Sequence, residues 1–331
     1  MGNKSKTSIK ITSAIVSLPK LFAENAKWIQ RYIGYAEDIE KNSGKWGKPK
    51  ANVKRPIFRY STVGGRNQRK YDLRFHGQSI GAIYVNRNGV VFLTGKNKTN
   101  KEYFGSHVPE LPENNGVEWH DPQATDFRKF FQDLDSSDVS VKSPEHQLEN
   151  RLLAEFSKGS SRDKALLNIQ PVRLYDCFFQ MPTPISASGK EIVYVEERGG
   201  GIDILARCTH QDGSVHLCIM EVKDENKPSE PQAKAMEQAL SYAVFIASLL
   251  HNPETGAAWW KLFGFNRALP TTLDIDVVTI MPQGDTPEFL DPISLPELNT
   301  ILHPSTLYYN SEEYIKGKFV FSGTFQALLK K

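Results

Sequence analysis

Gly201-Ile202-Asp203-Ile204-Leu205 and Leu217-Cys218-Ile219-Met220-Glu221-Val222-Lys223 are the two stretches that decide how this 331-residue chain is read. Both have the composition of strands, and Gln211-Asp212-Gly213-Ser214 between them predicts a hairpin turn. Side chains alternate along a strand, so Glu221 and Lys223 share one face while Met220 and Val222 turn to the other. Asp203, set between Ile202 and Ile204, likewise points away from its apolar neighbours. The hairpin thus brings two acids and a lysine together.

Carboxylates converging at a strand end suit a hard divalent cation such as Mg²⁺, with Mn²⁺ as its substitute. A phosphodiester is the expected substrate, because such an ion neutralises a phosphate and lowers the pKa of an attacking water. Lys223 adds a compact cation for developing charge. Two helices extend the pattern. After Pro228 and Pro231, residues 230–250 read as a helix carrying Gln238 and Tyr242, whose spacing of four places them on one face. Upstream, Ser143 and Pro144 predict a helix start, followed by the apolar stripe Leu148, Leu152 and Phe156 and by Glu149.

In these residues the chain resembles the PD-(D/E)XK nuclease superfamily, with Asp203 on one strand, Glu221-Val222-Lys223 on the next, and a Gln-x-x-x-Tyr helix like that of its RecB-like branch. The superfamily's proline is missing before Asp203, where Ile202 stands. The resemblance implies a restriction-endonuclease-like α/β (α+β) core, a mixed central sheet flanked by helices. It also implies a metal held by Asp203, Glu221, the Val222 carbonyl and Glu149. Lys223 would then position water or stabilise charge, and Gln238 and Tyr242 would support the site. Gly199-Gly200-Gly201 lacks the Lys-Ser/Thr of a phosphate loop and reads as a close approach to the strand bearing Asp203.

Charge divides the chain. Residues 1–110 hold 21 Lys or Arg against 7 Asp or Glu, a net of +14, and the remainder 20 against 31, a net of −11. Within the basic part, Lys45, Lys48, Lys50, Lys54, Arg55, Arg66, Arg69 and Lys70 are candidate phosphate contacts, interleaved with aromatic residues that can stack on bases. The expected organisation is a basic, β-rich module over 1–138 and the nuclease-like domain over 139–331, the latter ending in a proline-bearing extension from Pro282. A helical segment over 13–40 is expected to break near Pro19.

Three cysteines without paired metal spacing fit a reducing cytoplasm, and no apolar run is long enough for a membrane span. The expected activity is a DNA endonuclease of restriction, repair or antiviral defence. RNA is the less favoured substrate, and a catalytically inactive nucleic-acid-binding or sensor protein is the alternative. Homo-oligomerisation or a companion protein is the expected means of control.

Overall fold

The computed structural model describes residues 15–25, 27–43, 57–61, 69–134, 143–156, 166–174, 177–187, 189, 191–195, 199–225, 232–283 and 291–329. The chain divides into two interleaved compact units, one of Glu37–Ala154 with Arg173–Met181, the other of Met1–Ala36, Glu155–Val172 and Pro182–Lys331. The expected boundary at 138/139 lies outside the described residues.

In the first unit seven strands lie side by side in the order Val117–Glu118, Val91–Gly95, Gln78–Val85, Arg69–Phe75, Ile57–Ser61, Cys177–Gln180 and Arg173–Leu174. Alternation builds its core: Tyr71, Leu73 and Phe75 are buried, while Lys70 is exposed. Asn86-Arg87-Asn88-Gly89 form a turn between two of these strands. Asn86 N–H donates to the Val90 carbonyl at 2.9 Å, the Asn86 side-chain oxygen accepts from Asn88 and Val90 N–H, and Gly89 takes a φ of 80°. A helix runs Pro122–Asp133, where Asp121 caps it by accepting the Gln123 N–H at 2.8 Å and Pro122 fills the first turn. Helix Pro144–Phe156 begins at its predicted proline, with Leu148, Leu152 and Phe156 buried as its stripe requires.

Cys177–Gln180, expected in the nuclease-like domain, instead pairs in parallel with Ile57–Ser61 in this sheet. A short apolar run specifies a strand but not its distant partner.

The second unit is built on a mixed sheet of seven strands flanked by helices. Its strands are β1 (Ile169–Pro171), β2 (Ile204–Thr209), β3 (Val215–Val222), β4 (Leu273–Pro282), β5 (Ile293–Leu295), β6 (Thr300–Tyr309) and β7 (Phe321–Ser322). The order is β5-β6-β4-β3-β2-β1, with β7 pairing the far end of β6. Strands β1, β2 and β3 are antiparallel neighbours, whereas β3, β4 and β6 run parallel. Parallel neighbours need a crossover, and between β3 and β4 it is supplied by α3 below.

The helices of this unit are α1 (residues 15–24), α2 (Lys27–Ser43, of which residues through Ala36 belong here), α3 (Gln232–His251), α4 (Gly256–Leu262), α5 (Ser311–Ile315) and α6 (Thr324–Leu328). Helix α3 is buried around nearly its whole circumference, as expected of a helix between two layers. It packs on β3 and β4, and Phe22, Trp28 and Tyr32 of α1 and α2 gather around its Phe245. The polar ends of these aromatics are satisfied: Trp28 Nε1–H donates to the Phe22 carbonyl, Trp259 Nε1–H to that of Tyr32, and the Tyr32 hydroxyl to that of Pro182.

Two expectations are corrected in this unit. The helical break includes Asn25 and does not fall at Pro19, which lies inside α1. Ile15, Leu18 and Phe22 bury the apolar face of α1, and that packing outweighs the one hydrogen bond the proline removes. The C-terminal stretch is no appendage either, because its ten-residue β6 pairs with β4 along the whole strand. Among the described residues, no helix is long and apolar enough to cross a membrane.

Candidate functional site

The hairpin of β2 and β3 sets the site. Ile204 pairs with Met220, so Asp203, one residue before β2 begins, stands across from Glu221. The ladder ends there and a side chain takes over its work: an Asp203 carboxylate oxygen accepts the Val222 N–H at 2.9 Å. In a strand the N–H and C=O of one residue point the same way, so the Val222 carbonyl also faces the Asp203 side. Glu221 accepts from the Lys223 ammonium at 2.7 Å.

Helix α3 brings the third component. Gln238 Nε2 donates to the Tyr242 hydroxyl at 3.4 Å across one helical turn. That hydroxyl is held well above its ordinary range, by burial first and then by the negative charges of Glu221 and Asp203, with Lys223 acting the other way. Asp203, Glu221, Lys223, Gln238 and Tyr242 therefore come together around one point.

Their surroundings differ from the open cation site that surface hairpins suggest. Glu221 is 1% exposed and Lys223 4%, with Asp224, Gln238 and Tyr242 also buried. Asp203 remains partly exposed. Two charges this deep persist because they are paired and hydrogen-bonded. Glu149 is buried on Pro144–Phe156, within the other compact unit. Of the basic candidates, Lys45, Lys48, Lys50, Lys54, Arg55 and Arg66 lie outside the described residues, Arg69 is on a strand, and Lys70 is exposed.

The triglycine explains the tight approach. Gly200 N–H donates to the Ile185 carbonyl at 2.7 Å, and a Cβ on Gly200 would lie 2.2 Å from the Tyr242 hydroxyl oxygen and 3.3 Å from the carbon bearing it. Gly200→Ala is therefore expected to cost about 1–3 kcal/mol through overpacking. Adding Tyr242→Phe, which removes the atom struck, should recover most of that loss. Denaturant titration of both single variants and the double variant checks this, and strictly additive effects would contradict it.

Several polar residues escape a motif-based reading. Glu221 lies in register with Thr279 of β4, and Thr279 with Thr306 of β6. The two threonine hydroxyls are 3.2 Å apart, and Gln232 at the start of α3 donates to Thr306 at 2.6 Å. This row extends the site's sheet face across three strands. On the opposite face, His210 and His216 meet Asp276. A sequence signal for that cluster exists in the mirrored Cys208-x-His210 and His216-x-Cys218 around the turn, which alternation places on one face.

No protein-family model, curated protein or solved structure matches this chain.

Proposed function

We propose that this protein is a divalent-metal-dependent nuclease acting on DNA, with a restriction-endonuclease-like core of the PD-(D/E)XK kind. The observation that carries this reading is the convergence of Asp203, Glu221 and Lys223 with Gln238 and Tyr242 at the end of β3. The element order supports it: Asp203 at the entry to β2, Glu221-Val222-Lys223 closing β3, the Gln-x-x-x-Tyr helix α3, then β4 parallel to β3.

The donors fit a hard cation, since the Asp203 and Glu221 carboxylates and the Val222 carbonyl are all oxygen ligands. When bound, Mg²⁺ or Mn²⁺ supplies charge neutralisation and an acidified water. Asp203, Glu221 and Val222 would hold it, while a metal role for Glu149 rests on the resemblance alone. Lys223, fixed by Glu221, presents its ammonium to charge developing on the phosphate. Gln238 and Tyr242, bonded to each other, would support the carboxylates from α3. The basic residues from Lys45 to Lys70 are the proposed grip on the DNA backbone. Restriction, antiviral defence or repair in the cytoplasm, controlled by self-assembly or a companion protein, is the setting this activity suits.

The burial of Glu221 and Lys223 favours a second reading, a nucleic-acid-binding or sensor protein whose closed site does not cut. Incubation with circular DNA, linear DNA and RNA, in Mg²⁺, Mn²⁺ or EDTA, separates the two. Cleavage of circular DNA with Mg²⁺ and none with EDTA is expected. DNA binding without cleavage in either metal would overturn the nuclease reading, and cleavage of RNA alone would change its substrate. In a binding arm, charge reversal at Lys45, Lys48, Lys50 and Lys54 is expected to flatten the salt dependence by about 0.9 in logarithmic slope for each phosphate that is no longer neutralised.

A further inference from the structure

The face of the sheet opposite Glu221 carries a cluster that the nuclease reading does not use. Register places it. Cys208 pairs with His216, Cys218 with Asp276, and Asp276 with His303, so His210, His216, Asp276 and His303 all share the face of Met220 and Val222. His216 is five residues before Glu221, roughly 16 Å along the strand at about 3.3 Å per residue. The two sites are therefore separate.

Asp276 has no exposed side-chain surface, and each of its oxygens meets a different ring. His210 Nε2 is 2.7 Å from one and His216 Nδ1 3.3 Å from the other. The two imidazoles lie with centroids 4.0 Å apart. The far side of His216 fixes its proton. Ser214 has a single hydroxyl proton, which it gives to Asp212 at 2.7 Å, so its oxygen accepts from His216 Nε2–H at 3.2 Å. Nδ1 is then the ring nitrogen that faces a buried carboxylate oxygen, where a proton or a metal ion can lie between the two. A ring nitrogen whose partner nitrogen donates outward to an oxygen is also how metal-bound histidines are oriented.

We propose that His210, His216 and Asp276 bind a divalent transition-metal ion, Zn²⁺ foremost. Two imidazoles and a carboxylate are the donor set of open zinc sites, with a fourth position left for water. One atom from each of the three residues falls within 4.8 Å of the others. Donors placed about 2 Å from a tetrahedral ion stand about 3.3 Å apart. The His216 nitrogen already has that spacing from one Asp276 oxygen, the His210 nitrogen is bonded to the other, and the ligand atoms, all within 4.8 Å of one another, draw together as an ion replaces the proton. The histidines are 12% and 16% exposed, which gives an ion a way in, whereas Asp276 is sealed behind them. Cys208, Cys218 and Asp276 also lie close together, but both thiols are fully buried and each Asp276 oxygen already meets a histidine. His303 is held by Asp274 at 2.7 Å. The bound ion would pin the turn of the β2–β3 hairpin to the central strand β4.

The test is a Zn²⁺ titration of the chelator-stripped full chain against a competing chromophoric chelator, in excess Mg²⁺ to occupy any hard-oxygen site. The expected result is stoichiometric Zn²⁺ binding that His210→Ala or His216→Ala each weakens about 100-fold or more. Asp203→Asn should leave it unchanged, so failure of the nuclease reading and failure of this one are read separately. Both histidines are partly exposed, and circular dichroism of the variants confirms folding. Co²⁺ in place of Zn²⁺ should give a spectrum without thiolate charge transfer, unaltered by Cys218→Ser. Absence of Zn²⁺ binding by the wild-type chain, undiminished binding by folded His216→Ala, or a thiolate band that disappears in Cys218→Ser would each overturn the proposal.

Discussion

Asp203→Asn and Glu221→Gln are each expected to lower Mg²⁺-supported DNA cleavage roughly 10³-fold or more, because several kcal/mol of metal-based charge stabilisation is at stake and about 1.4 kcal/mol is tenfold in rate. The amides are chosen for the site's burial. Asparagine keeps an oxygen to accept the Val222 N–H that Asp203 now accepts at 2.9 Å, and glutamine keeps one for the Lys223 ammonium at 2.7 Å. What each variant loses is the negative charge that a divalent ion requires. Alanine at Glu221 tests something else. It breaks a buried ion pair, and removing one partner of such a pair costs about 3–5 kcal/mol, enough to confuse loss of chemistry with loss of fold. Thermal unfolding with and without Mg²⁺ accompanies the rate measurement. Folded Asp203→Asn protein that cuts at the wild-type rate would show that Asp203 holds no catalytic ion.

The facing of these residues is legible in the sequence because it depends only on local period. Alternation through Leu217–Lys223 fixes Glu221 and Lys223 on one face, and Gly213 in the intervening turn, with a φ of 86°, fixes the hairpin. Helix α3 is legible for the same reason, from one continuous apolar segment. Burial of the charged pair is not, since it depends on α3 and on the row Thr279, Thr306 and Gln232, which arrive from distant parts of the chain. Likewise nothing local announces that Thr300–Tyr309 pairs along the whole of β4 or that Cys177–Gln180 joins the other sheet. The His210, His216 and Asp276 cluster falls between these cases. Its hairpin half is visible as a mirrored pattern, while Asp276 reads only as a polar interruption in an apolar strand until parallel pairing sets it beside Cys218.

Phe245→Ala is expected to cost about 3–5 kcal/mol, the usual range for emptying a buried phenylalanine site, and so a large part of a domain's total stability of about 5–15 kcal/mol. Phe245 is fully buried, with ring centroids 5.9 Å from Phe22, 5.7 Å from Trp28 and 5.0 Å from Tyr32. Those three residues anchor α1 and α2, and the cavity left by alanine cannot collapse easily beside rings of which Trp28 is tied to the Phe22 carbonyl and Tyr32 to the Pro182 carbonyl. The effect should reach the site as well. Tyr242 lies three residues before Phe245 on the same face of α3, so the cavity opens next to the residue that carries the site's hydroxyl. Phe245→Leu, which refills most of the volume, should recover much of the stability and, in a folded protein, the cleavage rate. Denaturant unfolding of the two variants measures the first effect and DNA cleavage the second. A Phe245→Ala protein as stable as wild type would mean that α1 and α2 are not packed on α3 as described.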